Sequence, residues 1–197
     1  MKPSETRNYI IDKSYRLFLC RSYEAVSISE ISKAIGFTKG ALYHHFASKE
    51  ELFKAVIDKH LEMRIGAVND VNITFREYID CVIEHSESMV NHMLNETPNA
   101  SALNYFALYI DALRHYPKFI KTKGDFVQNE IGKLEQIIEN AIEQKEIRSD
   151  IDVKILATNI FSLSMGMVVD LVRTSSTEYL ISMLRNQLME YYKLLKL

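Results

Sequence analysis

Apolar residues recur at three- and four-residue steps along almost the whole chain, and no stretch of useful length alternates with the two-residue period of a strand. The pattern predicts an all-α protein of about nine helices. A first helix runs from about Ser4 to Arg21, with Ile10, Ile11, Ser14, Leu17 and Phe18 on one face. Ser27-Ile28-Ser29-Glu30 reads as a capping box that opens a short helix ending near Ile35. Gly36 is its natural left-handed stop. A second short helix spans about Thr38 to Phe46. Ser48-Lys49-Glu50-Glu51 is another capping box, opening a longer helix towards Val68. A polar linker from Asn69 to Thr74 precedes a helix from about Phe75 to Leu94. Pro98 breaks the chain, a helix follows from about Asn99 to His115, and Pro117 marks the next boundary. A long helix then reaches about Lys145, with Gly124 the place where it could deviate. Asp150 or Asp152 caps a helix reaching Arg173, and Ser175-Ser176-Thr177-Glu178 opens the last one.

Composition narrows the function classes. Lysine and arginine outnumber acidic residues by 10 to 7 over residues 1–60, whereas acidic residues lead by 19 to 14 over residues 61–197. The asymmetry turns the N-terminal part towards an anion, but weakly. Cys20 and Cys81 lack any metal-ligand spacing and are expected as buried, reduced thiols. Met1 leads straight into a polar run, so no signal peptide is expected. The longest uncharged run in the C-terminal half, Ile155 to Val169, is shorter than a bilayer span. The protein is therefore expected in the cytoplasm and off the membrane. No nucleophile elbow, HExxH or P-loop is present, so an enzyme is not expected. No cofactor or metal is expected either; His85, Met89 and His92 share one helix face but no further ligand completes a set.

The chemistry concentrates in residues 27–49. Two short helices joined by a glycine turn and laid on a longer first helix are the parts of a helix-turn-helix. A helix that enters the major groove needs small and polar groups on one face and apolar anchors on the other. Leu42 and Phe46 are such anchors, with Ile28, Ile31, Ile35 and Phe37 completing a small core. Thr38, Lys39, Gly40, Tyr43, His44 and His45 are left for a groove and its phosphates.

From Gly36 to Leu52 the sequence Gly-Phe-Thr-Lys-Gly-Ala-Leu-Tyr-His-His-Phe-Ala-Ser-Lys-Glu-Glu-Leu resembles the signature of the TetR family of transcriptional regulators (the TetR/AcrR group). Ile10-Ile11-Asp12, Leu17-Phe18 and Ser27 to Ile31 follow the same pattern, so the resemblance covers roughly residues 5–60. It implies that Thr38 bonds a phosphate, that Lys39 and Gly40 face base edges, and that Tyr43 meets a thymine methyl or a phosphate. It also implies phosphate contacts for His45 and Lys49, and a share for Ser27, Ser29 and His44. One departure is Ser22, where the family usually ends its first helix on Gly.

The resemblance divides the chain into a DNA-binding module at 1–47, a connecting helix at 48–68, and a ligand-binding and dimerisation domain at 69–197. The expected pocket lining is Tyr78, Val82, Met89 and Met93, then Phe106, Tyr109, Ile110 and Leu113, then Phe126, Phe161 and Met165. His85 and His92 would be polar groups at the pocket edge or plain surface. The expected dimer face takes in Leu163, Gly166 and Met167 together with the stripe Leu180, Leu184, Leu188 and Tyr191. The implied function is a homodimeric repressor on a palindromic double-stranded operator, released by a small apolar effector. The alternative is a DNA-bound activator or a regulator that recruits a protein and has no effector.

Overall fold

The computed structural model describes residues 3–61, 68–95, 101–174 and 176–197, without the side chains of 92–95 and 168. Those residues form nine helices: α1 (Pro3–Cys20), α2 (Ile28–Ile35), α3 (Lys39–His45), α4 (Lys49–His60), α5 (Phe75–Asn95), α6 (Ala102–His115), α7 (Pro117–Glu143), α8 (Val153–Thr174) and α9 (Thr177–Leu195). The fold is all-α. The helices gather into two compact units, Met1–Met63 with Thr97–Lys121, and Arg64–Glu96 with Thr122–Leu197. The units do not follow chain order, because α6 and the first residues of α7 belong with the N-terminal segment.

In the first unit α1 packs against α2, α4 and α6, and α2 packs against α3. Phe18, Ile31, Leu42, Leu52 and Phe53 fill its core, each fully buried. The Phe18 and Phe53 rings meet edge to face at 5.1 Å. On the buried side of α1 sit Ile10, Ile11, Ser14, Tyr15, Phe18 and Leu19, while Leu17 is only half-buried. Local signals set the ends of the short helices. Ser27 Oγ accepts the Glu30 N–H at 3.2 Å, and the Glu30 carboxylate accepts the Ser27 N–H at 2.8 Å. Gly36 stops α2 at φ 73°, and the Phe37 N–H reaches back to the Ser32 carbonyl.

Ser48 caps α4 by accepting the Glu51 N–H, but Glu51 reaches the Ala47 N–H instead of that of Ser48. α4 is helical to His60; its expected continuation over 62–67 lies outside the described residues. Ser22, where a left-handed glycine was the familiar pattern, keeps a negative φ; its carbonyl accepts the Ala25 N–H in a turn.

In the second unit α9 packs against both α5 and α8. Thr74 and Glu77 form a capping box at the start of α5, with the same signature as Ser27 and Glu30. Glu146, 71 residues further on, accepts the Phe75 N–H at 2.9 Å and the Arg76 N–H at 3.0 Å. A carboxylate there meets both the free donors and the positive end of the helix. α7 passes Gly124 without interruption and stops two residues before Lys145, which takes φ 60°. Of the two aspartates offered as caps for α8, it is Asp152 that accepts the Ile155 N–H. For α9 the cap is Ser176, one residue later than expected; Ser175 lies outside the described residues.

Two expectations are corrected. Cys20 is exposed and Cys81 half-buried, not buried as expected. Cys20 ends α1, one step of about 100° around the helix from the buried Leu19. α8 runs for 22 residues, past both ends of its uncharged run, so by length and composition it could cross a membrane. Here it buries Leu156, Ala157, Ile160, Phe161, Met167 and Leu171 and leaves Ile155 and Val169 exposed.

Candidate functional site

α3 is seven residues long, and of them Leu42 alone is buried. With Phe46 just past the helix end, it holds α3 on the first unit. Thr38, Lys39, Gly40, Tyr43 and His44 are exposed, and Tyr43 leaves 49% of its surface open. His45 is half-buried, its ring 5.4 Å from that of His44. Ser27 and Ser29 are exposed at the start of α2. Thr38 Oγ1 accepts the Ala41 N–H at 3.1 Å. A hydroxyl that accepts in this way still has a proton to donate. A Cβ built on Gly40 would meet nothing nearer than Thr38 Oγ1 at 3.9 Å. The protein itself therefore leaves room for a side chain there.

Lys49 is committed inside the protein. Its Nζ donates to the carbonyls of Tyr23 (2.8 Å) and Val26 (3.1 Å), and it lies 4.0 Å from the Tyr23 ring centre. Two of its three protons thus bind α4 to the loop between α1 and α2. α6 grips the same region: Asp111 Oδ2 accepts the Tyr23 N–H at 2.7 Å, and Asn104 Nδ2 donates to the Leu19 carbonyl at 3.1 Å. Arg21 pairs with Glu30 at 2.6 Å. The Glu30 carboxyl is held down at about 2, first by Arg21 and then by its bonds to Ser27. Except for the Ser27–Glu30 box, none of these braces was visible in the sequence, because each joins residues nine or more positions apart.

The second unit holds a cavity of about 30 Å³. Of the residues named for a pocket, Tyr78, Val82, Met89, Phe161 and Met165 line it. Phe126 does not, and the Met93 and His92 side chains lie outside the described residues. Phe106, Tyr109, Ile110 and Leu113 belong to the first unit, where Tyr109 packs edge-on against Phe119. The wall also carries polar groups. Glu130 accepts from Lys133 Nζ at 2.7 Å, and the buried Nε2 of His85 has no hydrogen-bond partner. Burial lowers the His85 pKa, partly offset by the Glu130 charge. Burial first, then the Glu130 charge, raises that of Tyr78.

The leucine stripe expected at a dimer face is spent inside the protomer: Leu180, Leu184 and Leu188 are fully buried, and Met167 is 4% exposed. A stripe at helical spacing marks burial but not the partner that causes it. Gly166 is exposed, and Leu163 and Tyr191 are half-buried. The exposed line on α8 is instead Ile155, Asn159, Ser162, Gly166 and Val169.

A short helix, a left-handed glycine turn and a second short helix with an open polar face define a helix-turn-helix protein. Residues 10–56 match the model of the bacterial regulatory proteins of the tetR family. Over those residues the chain is similar to that family, and longer but weaker matches to regulators of the same kind extend beyond them. It is 30% identical over 95 residues to the transposon Tn10 TetC protein of Escherichia coli, a match covering 43% of this chain and 48% of that protein. It is 22% identical over 178 residues to the transcriptional repressor AcnR of Corynebacterium glutamicum, covering 90% of this chain and 87% of the other. The solved structure of NalD, described as the secondary repressor of the MexAB-OprM multidrug efflux pump in Pseudomonas aeruginosa, superposes with a TM-score of 0.65 at 19% identity. That superposition covers 95% of this chain and 96% of NalD, and it shows the fold.

Proposed function

We propose that the protein is a dimeric, cytoplasmic repressor that reads a palindromic operator with α3 and leaves it when a small effector enters the second unit. The observation that carries this reading is the exposed face of α3, where Thr38, Lys39, Gly40 and Tyr43 stand on the buried anchor Leu42. Lys39 has the length and charge to donate to guanine O6 and N7, and Gly40 lets the backbone approach the bases. Thr38 and Tyr43 supply hydroxyls for phosphates, with Ser27, Ser29, His44 and His45 around them. Lys49 has one donor left for a phosphate beyond its two carbonyls. A two-fold operator calls for a two-fold protein. The uncharged line Ile155, Asn159, Ser162, Gly166 and Val169 on α8 supports a contact between copies. The module boundaries at 47 and 69 are part of the proposal.

The effector would be small and mainly apolar, with one polar group for His85. At about 30 Å³ the cavity admits little more than a water molecule. A ligand must therefore displace lining side chains, and Met89 and Met165 are the adaptable ones. The same small volume favours a second reading, in which the DNA-bound protein answers to a protein partner and has no effector. The test is selection of binding sites from random duplex DNA, with wild type beside Lys39→Ala/Tyr43→Ala. Enrichment of a palindrome by wild type alone supports the proposal. No enrichment at low salt would overturn it.

A further inference from the structure

Among the described residues, three side chains able to hold a metal ion meet in the first unit: Glu24 on the α1–α2 loop, and Asp111 and His115 on α6. One donor atom from each lies within 4.8 Å of the other two. Asp111 and His115 are four residues apart, hence on one face of the helix.

The three are held in ways that suit an ion. Asp111 is 6% exposed, and its Oδ2 is fixed by the Tyr23 N–H. The His115 ring is stacked on Tyr23 at 4.3 Å, so its orientation is set before any ion arrives. Its Nε2 is buried and faces Glu24 Oε1 at 2.6 Å in an ion-pair contact. A metal ion would replace this direct contact with a shared centre. The Glu24 side chain is 64% exposed, which leaves a path for the ion and for a water ligand.

We propose that Glu24, Asp111 and His115 form a binding site for a divalent transition-metal ion of the zinc class. Two carboxylate oxygens, one imidazole nitrogen and a water make a four-coordinate set for that ion. Bonds of about 2.0–2.2 Å place tetrahedral donors about 3.3–3.6 Å apart, so Glu24 and His115, now at 2.6 Å, must separate by about 0.7–1.0 Å. The Lys49 charge also acts on Glu24, and it will weaken the ion's hold relative to a site without it. Occupancy would pin the α1–α2 loop to α6. That loop ends at Ser27, the cap of α2, so the ion would hold the helix-turn-helix in its present arrangement. The site is independent of the cavity in the second unit.

The probe is zinc itself. The full chain, stripped with a chelator, is titrated with zinc at neutral pH by calorimetry, beside Glu24→Gln, His115→Ala and, as a control, His85→Ala. The expected result is one ion per chain, with Kd raised at least about tenfold in Glu24→Gln and His115→Ala and unchanged in His85→Ala. Glu24 is exposed, so its variant keeps the test valid should His115→Ala lose helix by circular dichroism. Cobalt in place of zinc should give a visible spectrum without a thiolate charge-transfer band. Absence of saturable uptake by wild type, uptake unaltered in Glu24→Gln, or a thiolate band would each overturn the proposal.

Discussion

Replacing Gly40 by alanine separates what the fold needs from what the ligand needs. Gly40 is the second residue of α3, exposed, and a Cβ there would have only Thr38 Oγ1 within 4 Å, at the ordinary contact distance of 3.9 Å. Its backbone is not in the left-handed region; among the described glycines only Gly36 is. Alanine therefore costs no strain and removes the entropic penalty of glycine in a helix, about 0.5–1 kcal/mol. In a chain of this size that is a rise in Tm of about 1–4 °C. On DNA the sign reverses if α3 lies in the groove, since a methyl group would stand where backbone meets base edges. A loss of about 1–3 kcal/mol per half-site, roughly 5- to 150-fold, is the scale of one disturbed base contact. The assays are a thermal melt followed by circular dichroism and a fluorescence anisotropy titration of the selected duplex. A variant that melts higher and binds worse fits the reasoning. One that binds as wild type does would refute the placement of Gly40 at the interface, and one that melts lower would refute the claim that the fold leaves it free.

Glu30 gives a pH prediction. Its carboxyl is lowered to about 2 by Arg21 and Ser27, so the stability it adds is present above the usual glutamate range and lost as pH falls towards 2. Tm measured from neutral pH downwards should fall less steeply below about pH 4.5 in Glu30→Gln than in wild type; identical slopes would show that the contacts of Glu30 do not matter. Glu146→Ala should lower stability by about 1–3 kcal/mol, because the Phe75 and Arg76 N–H groups lose their acceptor. Urea unfolding reads that loss, and a change within error would mean water or Thr74 caps α5 alone.

What the sequence could foretell followed the reach of each interaction. The Ser27 cap and the Gly36 stop act within four residues of the helix ends they set, and both were legible. The Thr74–Glu77 box has the same form and was readable, though its second carboxylate, Glu146, was not. Asp111 bonds a backbone N–H 88 positions away, and no local pattern announces such a partner. The buried leucines of α9 show the same limit from another side. Their spacing foretold burial, but the protomer itself buries them. In the cavity, residues from α5 and α8 lie together, whereas Glu130 and Lys133 enter from α7, where the sequence had offered only Phe126.

The central claim is that α3 is the part of this protein that reads duplex DNA. Its most direct test is an anisotropy titration of the selected duplex with wild type and with Lys39→Ala/Tyr43→Ala, across a series of salt concentrations. The account predicts that the double variant keeps its fold and loses about a hundredfold or more in affinity, with a shallower salt dependence because fewer cationic contacts release counterions. Equal affinity and equal salt dependence in a folded double variant would contradict it, and would move the DNA-binding surface away from α3.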